Sequence, residues 1–242
     1  ILLNRSITEE KAKAMELLGD FSQQDIRKLW NNFYEDYFEA SDHKDLQIHA
    51  QNILLSKRAS NITLFQKDTD SLTTIFINTQ DRANLFATII GILDSENINF
   101  VDAKLFGMKN GYCTDLITIS DNGKRVELDS EKAKVLIDKL EEAITPRILK
   151  AKIVQRRQPR HLRHFKTDTA ISFKHDMKNR WTDLEISTTD RPGLLASICH
   201  VFLKHGALIK KARIATYSEK AEDRFSITSK QDTPFIKLSL IH

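Results

Sequence analysis

Along residues 71–154 the spacing of apolar positions changes segment by segment, and each change predicts an element. Ser71 to Thr79 has the period of two and the β-branched content of a strand, whereas Asn84 to Glu96 repeats its apolar residues at helical spacing. Ile98 to Met108 and Tyr112 to Ser120 alternate again on either side of Asn110-Gly111, a dipeptide that accepts the positive φ angles of a tight hairpin. Ser130 to Thr145 sets Ala133, Leu136, Ile137, Leu140 and Ile144 on one helical face, and Ile148 to Val154 reads as a last strand. The order βαββαβ predicts a ferredoxin-like module, one antiparallel sheet with two helices on a single face.

The same pattern returns further on. Thr169 to His175 and Trp181 to Thr188 read as a hairpin around Met177-Lys178-Asn179-Arg180; Asp190-Arg191-Pro192-Gly193 then interrupts the alternation. Leu194, Leu195, Ile198, Val201 and Phe202 follow at helical spacing, Gly206 ends the helix, and Leu208 to Tyr217 alternates once more. Residues 77–105 lie over 186–214 at a constant offset of 109 without a gap, with Asp81-Arg82 over Asp190-Arg191, Leu85 over Leu194, Ala87 over Ala196, Ile89 over Ile198 and Ala103-Lys104 over Ala212-Arg213. A period this long is a duplicated module and not a solenoid repeat.

Residues 1–58 predict helices. Ser6 and Glu9 have the spacing of a capping box and Gly19 of a stop; Ser22 opens a second helix with Ile26, Leu29, Trp30, Phe33 and Tyr37 along one face; Ser41 or Asp42 opens a third with Leu46, Ala50, Ile53 and Leu54. The aromatic stripe is expected to pack against a missing or neighbouring domain, and His43 and His49 to be solvated or to cap. The fold class is therefore α+β: a helical segment (1–60), a first module (61–155), a basic linker (156–168) and a second module (169–242). The second is expected to be incomplete, since DTPFIKLSLIH at the C-terminus does not read as a closing helix.

The turns after the first strand of each module are where candidate chemistry lies. Pro192 suits a first helical turn, and Gly193, without a Cβ, leaves that turn's N–H groups open to a small ligand, with the helix dipole favouring a carboxylate. An ordinary strand-to-helix turn is the competing reading. In the earlier turn Ala83-Asn84 stands in place of Pro192-Gly193, and the Asn84 side chain is expected to crowd the site, which ranks the later turn first. Asp190 is the candidate for holding an ammonium group or capping the helix.

Composition narrows the remaining classes. An apolar fraction of 40% in 242 residues is ample for globular cores, and no apolar run of eighteen residues suggests a membrane span. Cys113 and Cys199 lack metal-ligand spacing and are expected to be buried free thiols. Net charge is only +4, but Arg147 to Lys166 holds eight Lys or Arg and no acid. A nucleic-acid patch and a basic linker facing an acidic domain or partner both fit that run, and the second is favoured because helical or RNP-type motifs are missing. No P-loop, GxSxG, CxxC or HExxH occurs, nor the Asp-x-Asp pair of a nucleotidyltransferase or the His-Asp ligands of an HD phosphodiesterase.

The duplicated turns resemble the ACT domain, a ferredoxin-like regulatory module that binds amino acids after its first strand. The ordered segments Arg157-Gln158-Pro159-Arg160-His161-Leu162-Arg163-His164-Phe165, Ile171-Ser172-Phe173, Asp190 to Leu195 and Ala212-Arg213-Ile214-Ala215-Thr216 resemble the C-terminal third of the bifunctional PII uridylyltransferase/uridylyl-removing enzymes. That resemblance implies a cytoplasmic glutamine sensor, with effector residues Asp190, Arg191, Pro192, Gly193, Leu194 and Leu195 in the later turn and Asp81, Arg82, Ala83, Asn84 and Leu85 in the earlier one. It implies upstream catalytic domains acting on the PII signal protein, with Mg and UTP used by the full-length enzyme and no cofactor, metal or catalytic residue in this chain. Two alternatives are the effector-binding region of another amino-acid-regulated enzyme, and a basic interaction module for nucleic acid or an acidic protein.

Overall fold

A computed structural model describes residues 6–56, 60–66, 72–82, 85–144, 169–177, 180–190, 193–217, 220–229, 231 and 233–235. Four helices come first: α1 (Ile7–Leu17), α2 (Gln23–Trp30), α3 (Glu35–Glu39) and α4 (His43–Leu55). The first module follows as β1 (Asn61–Phe65), β2 (Thr73–Gln80), α5 (Leu85–Ser95), β3 (Asn99–Gly107), β4 (Tyr112–Ser120) and α6 (Glu131–Ile144). The second is β5 (Ala170–Asp176), β6 (Trp181–Thr189), α7 (Leu194–Lys204), β7 (Leu208–Tyr217) and β8 (Lys220–Thr228).

Each module is a four-stranded antiparallel sheet, β1-β2-β4-β3 and β5-β6-β8-β7, so the duplication extends to the opening hairpins. β1 was not among the expected strands. It pairs with β2 from Asn61↔Asn78 to Phe65↔Thr74, and with β4 on the other side it occupies both edges of β2. The expected strand 148–154 and the basic run 147–166 lie outside the described residues. In the second module no helix follows β8 among the described residues.

The two faces of the first sheet are both buried, which is why β2 carries the nearly continuous apolar run Ile75-Phe76-Ile77. Ile75 and Ile77 belong to the core under α5 and α6. Phe65, Phe76, Phe106, Met108 and Leu116 form the opposite face and pack on Trp30, Phe33, Tyr37 and Phe38. The neighbour expected for the aromatic stripe is thus the first module itself. The stripe is not one helix: α2 stops at Trp30, the backbone N–H of Lys109 donates to the Asn32 carbonyl (2.8 Å), Phe33 bridges to Met108, and α3 restarts at Glu35. Breaking the helix lets Phe33, Tyr37 and Phe38 all reach the sheet.

His49 corrects the expectation of a solvated or capping role. It is fully buried, its Nδ1 lies 3.0 Å from the Tyr37 hydroxyl, and its ring stacks on Phe76 with centroids 5.3 Å apart. Ser6 and Ser22 occupy N-cap positions without a side-chain cap bond, so the Ser6/Glu9 capping box does not form. The reciprocal box is instead Asp42 with Asp45 at the start of α4. Glu10 reinforces that helix start from α1: its Oε2 accepts from the backbone N–H of His43 and contacts His43 Nδ1, both at 2.7 Å, and the His43 side chain holds its carboxyl below the ordinary range. Asp42→Ala is accordingly expected to cost about 1 kcal/mol of stability in a urea titration, whereas Ser6→Ala should cost close to nothing because no side-chain bond is lost.

The second sheet has one covered face. Along β6, Thr182, Leu184, Ile186 and Thr188 are buried beneath α7, while Asp183 and Glu185 alternate outward to meet Ser226 and Arg224 of β8. A single apolar core runs from β1 of the first module to Phe225 and Ile227 of the second. α5 packs against α7, and β3 lies beside β7 along the seam between the two sheets.

Two pockets between the modules

The seam gives both conspicuous turns a roof from the other module. The later turn, Asp190 and Gly193 to Leu195, opens into a cavity of about 420 Å³ whose far wall is the end of α5 and the start of β3: Leu93, Asp94, Ile98 and Phe100. The earlier turn, Asp81, Arg82 and Leu85, opens into one of about 260 Å³ whose far wall is the end of α7 and the start of β7. The 109-residue offset holds for these walls as well, with Leu93 over Phe202, Asp94 over Leu203, Ile98 over Ala207 and Phe100 over Ile209. The modules are therefore related by an approximate twofold axis, and each pocket is half one module and half the other.

Local sequence fixes the walls. α5 and α7 both end on a positive-φ residue, Asn97 (φ 56°) and Gly206 (φ 69°). The next N–H groups, of Ile98 and Ala207, reach back to the carbonyls of Leu93 (2.9 Å) and Phe202 (2.8 Å). That is a Schellman closure, and it delivers the following strand to the pocket.

Gly193 is the N-cap of α7 at φ 75°, ψ 7°, a left-handed conformation that L side chains rarely adopt. Within the chain itself it is this conformation and not space that favours glycine, since a Cβ on Gly193 would meet nothing closer than Asp94 Oδ2 at 4.0 Å. The helix begins at Leu194. Pro192 and Arg191 lie outside the described residues, as do Ala83 and Asn84.

The structure brings two further carboxyls to these pockets. Asp115 on β4 and Asp223 on β8 are 4% and 2% exposed. They stand opposite Ile77 and Ile186, themselves an offset pair, so they are equivalent residues. Their own offset is 108, because the pair Thr216↔Ala221 of β7 and β8 encloses one residue fewer than the equivalent pair Gly107↔Cys113 of β3 and β4, and a gapless overlay passes them by. Burial, then the neighbouring Asp81, push Asp115 up to about 8; burial, then Asp190, push Asp223 up to about 7. Asp94, on the far wall of the larger pocket, was likewise unforeseen.

Cys113 and Cys199 are free and buried, as expected, and both line the smaller pocket. Burial, followed by the adjacent carboxylates, drives both thiols upward, so they persist as neutral thiols. The Arg82 guanidinium donates from Nη2 to the Ile144 carbonyl, while its buried Nε and Nη1 have no hydrogen-bond partner among the described residues. The smaller pocket thus offers carboxyls and a guanidinium together, the complement of a zwitterion. Among the described residues no group of three or more His, Cys, Asp or Glu side chains is placed to hold a metal ion, and no helix is long and apolar enough to cross a membrane.

Residues 3–52 match the family model described as the uridylyltransferase GlnD fifth domain. The chain is 35% identical over 230 residues to a bifunctional uridylyltransferase/uridylyl-removing enzyme of Vibrio cholerae, covering 93% of this chain and 26% of that protein. It is 32% identical over 235 residues to the enzyme of the same description from Acinetobacter baumannii, covering 94% of this chain and 26% of that one. The chain therefore spans about a quarter of the length of these relatives. A crystal structure of aspartate kinase from Synechocystis overlaps 76% of this chain and 29% of that chain, at a TM-score of 0.40 and 12% identity.

Proposed function

We propose that this chain, which corresponds over nearly all its length to a C-terminal region of the bifunctional uridylyltransferase/uridylyl-removing enzymes, is the glutamine-sensing part of such an enzyme. The observation that carries the reading is the pair of pockets at the module seam, each needing both modules for its walls. An effector seated there binds one arrangement of the modules more tightly than another, which is what regulation by population shift requires. Glutamine supplies an ammonium group for the aspartates and a carboxylate for the N–H groups of the later turn or the Arg82 guanidinium. In this reading the catalytic domains lie upstream, use Mg and UTP, act in the cytoplasm, and move uridylyl groups onto the PII signal protein when glutamine is scarce and off it when glutamine is plentiful.

A thermal-shift screen of the purified chain against the common amino acids tests the reading, because a ligand of the folded state stabilises it by about 2.7 kcal/mol at a hundredfold excess over Kd. Glutamine is expected to raise the melting temperature and glutamate to do so much less. A flat response to millimolar glutamine beside a clear response to another amino acid would assign the region to a different amino-acid-regulated enzyme.

The later turn is expected to be the stronger site. Gly193→Val forces a β-branched residue to φ 75° and should weaken glutamine binding by roughly 1 kcal/mol or more, while Asn84→Val should matter less. Titration calorimetry on the two variants decides between the sites, and the reverse order of effects would make the earlier turn the sensor.

A further inference from the structure

Apart from the turns, each pocket holds one buried strand carboxyl. Asp223 lines the larger pocket, and its Oδ1 is buried with no hydrogen-bond partner among the described residues. Folding does not leave such an acceptor unpaired without reason, since desolvating it is unfavourable. The position of the carboxyl is also duplicated, since Asp115 takes the equivalent place in the smaller pocket, although there it is hydrogen-bonded with Cys113. Each strand aspartate has a turn aspartate for its charged neighbour, Asp190 beside Asp223 and Asp81 beside Asp115.

Two neighbouring carboxyls, the strand one almost fully buried, favour a state in which one of the pair keeps its proton. An incoming ammonium group removes the need for that proton. Around the ammonium itself, two carboxylates and one cation then carry the same charge as the single carboxylate did before, the effector's own carboxylate is taken by the N–H groups of the turn, and the displaced proton goes to solvent. We infer that Asp223 with Asp190, and Asp115 with Asp81, are the seats of the effector's α-ammonium group, and that seating it releases the strand aspartate's proton. This deepens the glutamine-sensing reading and rests on it.

The surroundings rank the two seats. In the larger pocket the titratable groups beside Asp223 are Asp190 and Asp94 from α5, with the Cys199 thiol of α7 near it; a second cleft that Asp223 also lines holds Lys220 and Arg224, but these are paired with Glu222 and Glu185. Around Asp115 they are Asp81, Cys113 and Cys199, joined by two cations, Arg82 and Lys210. Fixed cations compete with a ligand's ammonium for the carboxylates. Asp223 is therefore the principal seat, and raised burial costs on both acids agree with a proton held until the ligand arrives.

Titration calorimetry with glutamine, in buffers of different ionisation enthalpy, tests this. For the unmodified chain the affinity is expected to rise by up to about tenfold per pH unit towards about pH 7 and to level off by about pH 8, with a matching buffer-dependent heat on the rising part. Asp223→Asn, which mimics the neutral acid in shape, should lose at least about tenfold in affinity at the higher pH and lose the proton release, with Asp115→Asn affected less. If either variant is poorly folded, the unmodified chain still decides: 4-carbamoylbutyrate, glutamine without its amino group, should neither bind comparably nor release a proton. Wild-type affinity and proton release in both Asn variants, or equal binding of the deaminated analogue, would overturn the inference while leaving glutamine sensing intact. Failure of glutamine to bind the unmodified chain at all would instead remove the sensing reading, and the ammonium seats with it.

Discussion

Phe76→Ala is expected to cost about 3–5 kcal/mol of stability, the loss typical of a buried phenylalanine whose cavity cannot close. Phe76 is fully buried, stacks on His49, and belongs to the cluster joining the N-terminal helices to the first sheet. Its neighbour Ile77 is equally buried but points to the opposite face, into the core shared with the second module. The two truncations should therefore differ in kind. Phe76→Ala should loosen the packing of α1–α4 and change the fluorescence of Trp30, whereas Ile77→Ala should destabilise the modules and leave Trp30 nearly as it was. A loss below about 1 kcal/mol for Phe76→Ala would mean the helices do not depend on that face.

Asp115→Asn should make the chain more stable at alkaline pH. In the native protein this carboxyl keeps its proton up to about pH 8, whereas an unfolded chain gives it up near the ordinary Asp value of 3.8. Between those limits the folded state binds the extra proton, so stability falls as pH rises from about 4 towards 8 and the full penalty persists above. Each pH unit of that interval is worth about 1.4 kcal/mol, an upper bound that relaxation around the charge reduces to roughly 3 kcal/mol in all. Asparagine cannot ionise and removes the penalty. Urea denaturation of the two proteins should therefore give similar midpoints at about pH 4 and diverge in favour of the variant by about pH 9. Asp223→Asn should behave in the same way over a window that closes near 7. Parallel pH profiles for variant and parent would show that the strand acids are already ionised in the fold.

Much of this architecture was legible because each element's environment leaves its period in the sequence. β6, covered on one face, reads Trp181-Thr182-Asp183-Leu184-Glu185-Ile186 with clean alternation; β7 and β4 were also bounded correctly, although β4 is buried on both faces. β1 was lost because Asn61–Phe65 is five residues long and its burial does not alternate cleanly. The break between α2 and α3 was hidden because Phe33 and Tyr37 continue a helical spacing that only the sheet beneath them interrupts. Asp81 and Asp190 were found as turn residues, since a strand-to-helix turn is a local signal. The strand acids and Asp94 were not, because their meaning depends on which helix end of one module faces which turn of the other, and no local pattern encodes that.

A pocket split between two halves also says what its simplest forerunner required. One module alone supplies a turn without a far wall, or a far wall without a turn, so a single-module ancestor would have built the site only as a twofold homodimer, and then in two identical copies. Joining the copies in one chain removed the obligation to stay identical. Asp94 and Leu203 now occupy the same wall position in the two sites, as do Val101 and Lys210. Fusion thus lets a symmetric pair become two separately tunable pockets that still share one seam, so a change in that seam reaches both.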